Sequence, residues 1–587
     1  MESHEKMAKI AAEPRDLVDV NLELENTKIN GVTRRNRQLK DLDDLFPYIG
    51  DFGWYQRMLF LLMIPYSFFF AFVYFSQIFM TVVPAEHWCF VQELKHLSVD
   101  ERRHLAIPQT ADSKYEKCLV YDVDWSKVLE GGSLTPNTTW PTKKCQEKWE
   151  FNFTDVPYET IATQLGWVCD KDEYPATAQA VFFCGAIVGG LIFGWIADKF
   201  GRVPAIVGTN LAGFLAGVGT AFANSFWSFC LCRFLVGLAY DNCFVIMYIV
   251  VIEYVGPKWR TFVANMSIAV YFTFAACLLP WIALGVSDWK IYTLITSVPL
   301  VLSIFTPCLV PESARWLIAQ GRIDEALKIL KKCERMNRKK IPDEIIKEFK
   351  ETAQEIARVE QENAKYTVLD LFRSPRLRRR STLLVVLWMC VSLVFDGHVR
   401  NVGALGLDVF LTFTVATATE FPADILLVLT LDVIGRRWLA FGSMVVSGLF
   451  SILATTVPFG LPSASLAIVG RFAVNISYNI GMQFAAELLP TVLRAQGLAL
   501  IHIAGYFATI LVPYIVYSAI VWSALPLLLL GALGVCGGCV ALLLPESLGA
   551  DMPQSVRDAE DFGLEQKFWD GPWNRKVSDS SKETCKV

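Results

Sequence analysis

A set of charged signatures occurs twice in this chain of 587 residues, the second copy displaced by a constant 234 positions. Asp198 and Arg202, in Asp-Lys-Phe-Gly-Arg, return as Asp432 and Arg436 in Asp-Val-Ile-Gly-Arg (432 − 198 = 234). Glu253 and Arg260 return as Glu487 and Arg494, and Pro311-Glu312-Ser313 returns as Pro545-Glu546-Ser547. Each copy is embedded in about six apolar stretches long enough to cross a bilayer, which points to a membrane protein of two homologous halves. The chain is 53% hydrophobic and 19% charged, against roughly a quarter charged in soluble domains. Its net charge of −4 gives no electrostatic reason for a nucleic-acid partner.

Apolar runs of about 20 residues place spans near 57–83, 176–197, 203–223, 227–252, 262–284 and 290–310, then 382–402, 408–431, 438–458, 464–486, 496–518 and 520–544. The expected fold is therefore an all-α membrane protein, twelve transmembrane helices in two pseudo-symmetric bundles. The bundles cover 57–310 and 381–545, between a cytosolic segment at 1–56, a cytosolic helical linker at 311–380 and a cytosolic tail at 546–587. Pro65, Pro299, Pro422 and Pro513 fall inside spans, where a proline frees a carbonyl and bends a helix.

Two loops fix orientation. Residues 84–174 hold Cys89, Cys118, Cys145 and Cys169 with two glycosylation acceptors, Asn137 and Asn152, a combination suited to an oxidising exterior. Three disulfide connectivities are open. On the opposite side the linker carries charged, amphipathic helical segments expected to pack on the cytosolic rim, and Arg376, Arg378, Arg379 and Arg380 crowd the entry to the seventh span, as the positive-inside rule requires.

The repeated charges lie at cytosolic turns. Asp198, Arg202, Glu253, Arg260, Glu312 and Arg315, with Asp432, Arg436, Glu487, Arg494 and Glu546, are expected to act as a gating latch: paired across neighbouring helices when the cytosolic mouth is shut, separated when it opens. Val433 stands where the first copy has Lys199, and Gly549 where Arg315 would recur, so the second latch is expected to hold less firmly.

Gly194-Trp-Ile-Ala-Asp-Lys-Phe-Gly-Arg202 resembles the signature of the major facilitator superfamily. With Ile49-Gly-Asp-Phe-Gly-Trp-Tyr-Gln56, the cysteine-bearing loop and Pro311-Glu-Ser-Ala-Arg-Trp316, residues 43 to 550 resemble the organic cation, anion and zwitterion transporter family, and within it most of all the insect carcinine and β-alanine transporters. The resemblance implies a plasma-membrane carrier for small organic cations or zwitterionic amines, working by alternating access. An organic-anion carrier and a non-transporting receptor of the same fold are the rival readings. No catalytic motif, metal cluster or phosphate loop is present in the sequence, so neither an enzyme nor a cofactor is expected, and the coupling ion is open. The expected partners are a small amine or zwitterion and the lipid bilayer.

Substrate recognition must come from polar and aromatic residues inside the spans. A bare charge in hydrocarbon costs at least ~2.5 kcal/mol, so Asp241, Asp396 and Glu420 are candidates, with Arg233, His398, Arg400 and Arg471 as alternative ion-pair partners. The family resemblance implies an aromatic pocket from spans one, four, five and seven, matched here by Phe70, Tyr74, Phe244, Tyr248, Tyr271, Trp388 and Phe395, with Asn479 as a polar pocket position. Tyr506 falls where cation-transporting relatives have an aspartate and anion-transporting ones an arginine. Asp396 is therefore expected to supply the acid, and His502, Arg400 or Arg471 to meet a carboxylate.

Overall fold

The computed structural model describes residues 42–569, apart from 111–113, 131–134, 146–147, 364–366, 551, 554, 565, 567 and 568. The first 41 residues and the end of the tail lie outside the described residues. Twelve helical elements form the two bundles: α1 Trp54–Met80, α2 Tyr174–Lys199, α3 Arg202–Thr220, α4 Phe226–Glu253, α5 Pro257–Val286 and α6 Trp289–Leu309 in the first. The second holds α7 Pro375–Arg400, α8 Val409–Ile434, α9 Arg436–Leu453, α10 Leu461–Leu488, α11 Thr491–Ile520 and α12 Leu525–Leu542.

Ten of these are long and apolar enough to cross a membrane by length and composition, and α9 and α10 are the two that fall short. Their polar positions are covered by protein: Arg471 and Asn475 of α10 are buried, and α9 meets α12 through glycines, so that a methyl group on Gly448 would stand 2.7 Å from the carbonyl oxygen of Gly531. Close backbone approach of this kind is how helices associate where no water drives them together.

Several spans are not continuous. α4 is broken between Gly237 and Asn242, α8 between Ala418 and Glu420, and α11 between Thr509 and Val512, while Ser267–Phe272 of α5 is a π-helix. Pro422 and Pro513 lie just past two of these breaks and Pro299 inside the 3-10 segment Val298–Phe305, whereas Pro65 sits in an uninterrupted helix. Irregular backbone at membrane depth is tolerated where protein or a wet cavity receives the freed polar groups.

The loop after α1 is a small domain of its own. Strand β1 (His87–Cys89) pairs antiparallel with β4 (Trp149–Phe151), and β2 (Leu119–Tyr121) with β3 (Thr142–Lys144), around a core including Trp88, Leu94, Ile107, Tyr121 and Trp125. Of the three open connectivities the structure has Cys89–Cys145 and Cys118–Cys169. Asn137 is exposed; Asn152 is half-buried, its amide donating to Glu86 at 3.0 Å. The linker helix Ile323–Asn337 docks on the cytosolic start of α1, where the Asn337 side chain accepts from the Tyr55 amide and donates to the Ile49 carbonyl and to Gln56. Burial pushes the thiol of Cys333, on that helix, up to about 12. The arginine cluster 376–380 lies within α7, which begins earlier than its apolar run, and Arg380 donates to the carbonyls of Ala559 and Phe562 in the tail.

Candidate functional site

Side chains join the two halves at mid-membrane and toward the end that carries the cysteine-bearing loop. Toward the outer side Tyr517 donates to Asp172 at 2.7 Å, Tyr514 to Thr177 at 3.3 Å, and Phe79 packs against Phe410 and Phe413. At mid-depth Tyr74 donates to Asp396 and Thr273 to Glu420 at 3.4 Å. The repeated charges pair inside each half.

Those charges form two copies of one clasp. Glu312 accepts from the amides of Arg202 (2.8 Å) and Val203 (3.1 Å) at the start of α3; Glu546 accepts from Arg436 (3.0 Å) and Arg437 (3.1 Å) at the start of α9. An anionic side chain on unsatisfied amides at a helix N-terminus satisfies donors and complements the dipole. Ser313 ties to Glu253 and Ser547 to Glu487, while Asp198–Arg202 and Asp432–Arg436 pair across the turn from one helix to the next. Gly201 has φ +112°, and a Cβ there would meet the Glu312 carboxylate at 2.4 Å, which explains the glycine in the repeated motif.

Arg260 and Arg315 meet Asp43, upstream of α1, at 2.5 Å each. The second copy has a contact between Arg436 and Glu487 at 3.2 Å, while Arg494 donates to the Leu489 carbonyl.

At mid-membrane an aromatic chain crosses from one half to the other. Phe70 stacks on Phe244 (centroids 5.6 Å apart) and Tyr240 (5.5 Å); Tyr240 touches Tyr74 (4.9 Å) and Tyr506 (5.9 Å); His502 lies between Tyr506 and Trp388; and Tyr478 stacks on Phe395 (4.3 Å). Tyr248 extends the chain from Phe244. Tyr271 does not join it, packing 5.1 Å from Phe60, and its neighbour Phe272 contacts Phe70 instead. The π-helical turn adds a residue to the helical repeat and so rotates the register of α5 at this point. Tyr240, Tyr478 and Phe272 are members that sequence reasoning missed, although Tyr240 adjoins Asp241 and Tyr478 adjoins Asn479.

The three candidate acids stand in different surroundings. Asp396, 1% exposed, accepts from Tyr74 and pairs with Arg400 at 3.1 Å, so its charge is already balanced. Glu420 is balanced likewise by Arg471 at 2.5 Å. Asp241 sits in the break of α4, half-buried, hydrogen-bonded to Tyr506 and within electrostatic reach of His502, Tyr240 and Tyr478. No lysine, arginine or histidine forms an ion pair with it among the described residues. The other suggested partners are engaged elsewhere: Arg233 holds Gln77 and lies over Phe182, and His398 meets Ser451. Asn479 donates to Asp424, a fourth buried acid not foreseen from sequence.

Comparison with known proteins agrees with this architecture. Residues 146–521 match the model of the family described as sugar (and other) transporter. The chain belongs to that family. The transporter is 32% identical over 549 residues to the carcinine transporter of Drosophila melanogaster, covering 90% of this chain and 80% of that one. It is 31% identical to solute carrier family 22 member 1 of Bos taurus (90% and 94%) and 29% identical to the β-alanine transporter of Drosophila melanogaster (89% of each). In fold it resembles the major facilitator superfamily proton:xylose symporter XylE, with a TM-score of 0.55 at 15% identity, covering 87% of this chain and 99% of that one. The molecule is thus a multi-pass membrane transporter of the major facilitator type, not an enzyme.

Proposed function

We propose that this transporter is a plasma-membrane carrier for small organic cations or zwitterionic amines, with both termini in the cytosol. The halves rock about the mid-membrane aromatic chain. The observation that carries the reading is Asp241: an acid at a helix break, without an ion-pair partner among the described residues, surrounded by Tyr240, Tyr478, Tyr506 and His502. A desolvated ammonium on aromatic faces gains about 2 kcal/mol, and a carboxylate in the same enclosure adds the counter-charge. Asp396 is the weaker choice because Arg400 already occupies it.

For a zwitterion, Arg400 and Arg471 each retain a buried guanidinium nitrogen without a hydrogen-bond partner, Nη2 and Nη1 respectively, able to receive a carboxylate. The carcinine and β-alanine relatives support amines of this size class. The paired cysteines of the loop after α1 support an outer location for that domain.

The test is uptake of a labelled panel, comprising an amine, a zwitterion and an anion, in cells expressing the transporter, normalised to surface protein. Amine or zwitterion uptake that loses apparent affinity in Asp241→Asn supports the reading. Anion uptake alone, or wild-type amine affinity in Asp241→Asn, would overturn it.

A further inference from the structure

Asp424 is 2% exposed and lies one helical turn below Glu420 on α8, ten residues before Ile434 and so roughly 15 Å inside the cytosolic end of that helix. Its hydrogen bond comes from the Asn479 amide at 2.5 Å. No cation pairs with it among the described residues, and Arg471 of α10 binds Glu420 instead. A buried carboxylate without a cation costs several kcal/mol as the anion, and binding a proton removes that cost.

A second observation lies beside it on α10. Asn475 is 4% exposed, and its side-chain nitrogen has no hydrogen-bond partner. It falls midway between Arg471 and Asn479, which reach Glu420 and Asp424, so the three form part of one ridge at four-residue spacing. That ridge continues through Gln483 to Glu487, which meets Arg436 of the cytosolic clasp. Exposure along it rises from buried Asn475 through half-buried Asn479 to exposed Gln483, so a polar stripe leads from Asp424 to the clasp end of α10.

We infer that Asp424 is a proton-binding site that couples this transporter to the proton gradient. The inference rests on the carrier reading for its purpose but not for its chemistry. An O–H bond forms at the Asp424 carboxylate with a proton taken from water on the outer side, and breaks when that proton passes to cytosolic water along the Asn479–Gln483 ridge. No electron moves. The charged group that acts on it is Glu420 on its own helix, which Arg471 of α10 pairs with and Thr273 of α5 donates to. A sodium ion fits less well, because Asn479 presents its amide donor to the carboxylate where a cation would need oxygens.

Proteoliposomes containing the full-length protein test this with labelled carcinine and β-alanine, measured with and without an inward proton gradient. The gradient is expected to raise accumulation several-fold in wild type and to leave Asp424→Asn, whatever its rate, unresponsive, while Asp424→Glu regains a response with a shifted pH midpoint. A gradient response that persists in Asp424→Asn, its absence from wild type while either compound moves, or its replacement by a sodium gradient overturns the proposal. If neither compound moves, the carrier reading is at fault and infrared spectra of the purified protein still decide. A pH-titrating carboxylic C=O band lost in Asp424→Asn supports the site, and an identical band in both proteins sinks it.

Discussion

The hydroxyl of Tyr74, in the first half, donates a hydrogen bond to the carboxylate of Asp396 in the second, and Arg400 completes the group by pairing with Asp396 and lying over the Tyr74 ring. Removing one partner of a buried pair leaves the other uncompensated, at a cost of about 3–5 kcal/mol. Asp396→Asn is therefore expected to lower thermal stability and surface expression for all substrates alike, and Asp396→Asn with Arg400→Met to recover much of the loss. Thermal unfolding of the purified variants measures this; a stable Asp396→Asn with selectively weakened amine uptake would return the counter-charge role to Asp396.

The Glu312 cap predicts a kinetic effect. Glu312→Gln weakens the anion at the start of α3 by about 1 kcal/mol and should slow turnover without altering competition among substrates, because the clasp is remote from the aromatic chain. Gly201→Ala should be more severe, combining a strained φ of +112° with a clash against the same carboxylate. Initial uptake rates and inhibitor ranking, compared at equal surface density, check both; altered ranking would place the clasp in recognition.

Acid should loosen the Asp43 bridge. Burial raises the Asp43 carboxyl, but Arg260 and Arg315 outweigh it and hold the group below its ordinary 3.8. A folded pKa below the unfolded one means the stabilisation is fully present above the unfolded value and is lost as pH falls through the folded one. Wild type should therefore lose more thermal stability than Asp43→Asn on acidification below about pH 4. Parallel pH profiles for the two proteins would refute the linkage.

Glycan should distinguish the two acceptor sites. Asn137 is exposed, whereas the Asn152 amide is engaged by Glu86. Asn137→Gln is expected to remove most of a glycosidase-sensitive mobility shift, and Asn137→Gln with Asn152→Gln all of it. A tag in residues 84–174 that is reachable only after permeabilisation would reverse the topology.

The sequence by itself determined the two-half helical architecture, because a 234-residue repeat and apolar runs of membrane length are one-dimensional signals. The family resemblance carried by its motifs also pointed to the aromatic positions of α1, α4 and α7. Only the tertiary structure decided which acid is neutralised. Asp241, Asp396 and Glu420 look alike along the chain, and the difference lies in Arg400 and Arg471 projecting from particular helical faces. The same holds for Asp43, whose partners are 217 and 272 residues away. Tyr271 and Phe272 exchange places through one π-helical turn. Asp424 gains its interest from its burial and its bond from Asn479, since the charge state of a buried group depends on what surrounds it in three dimensions.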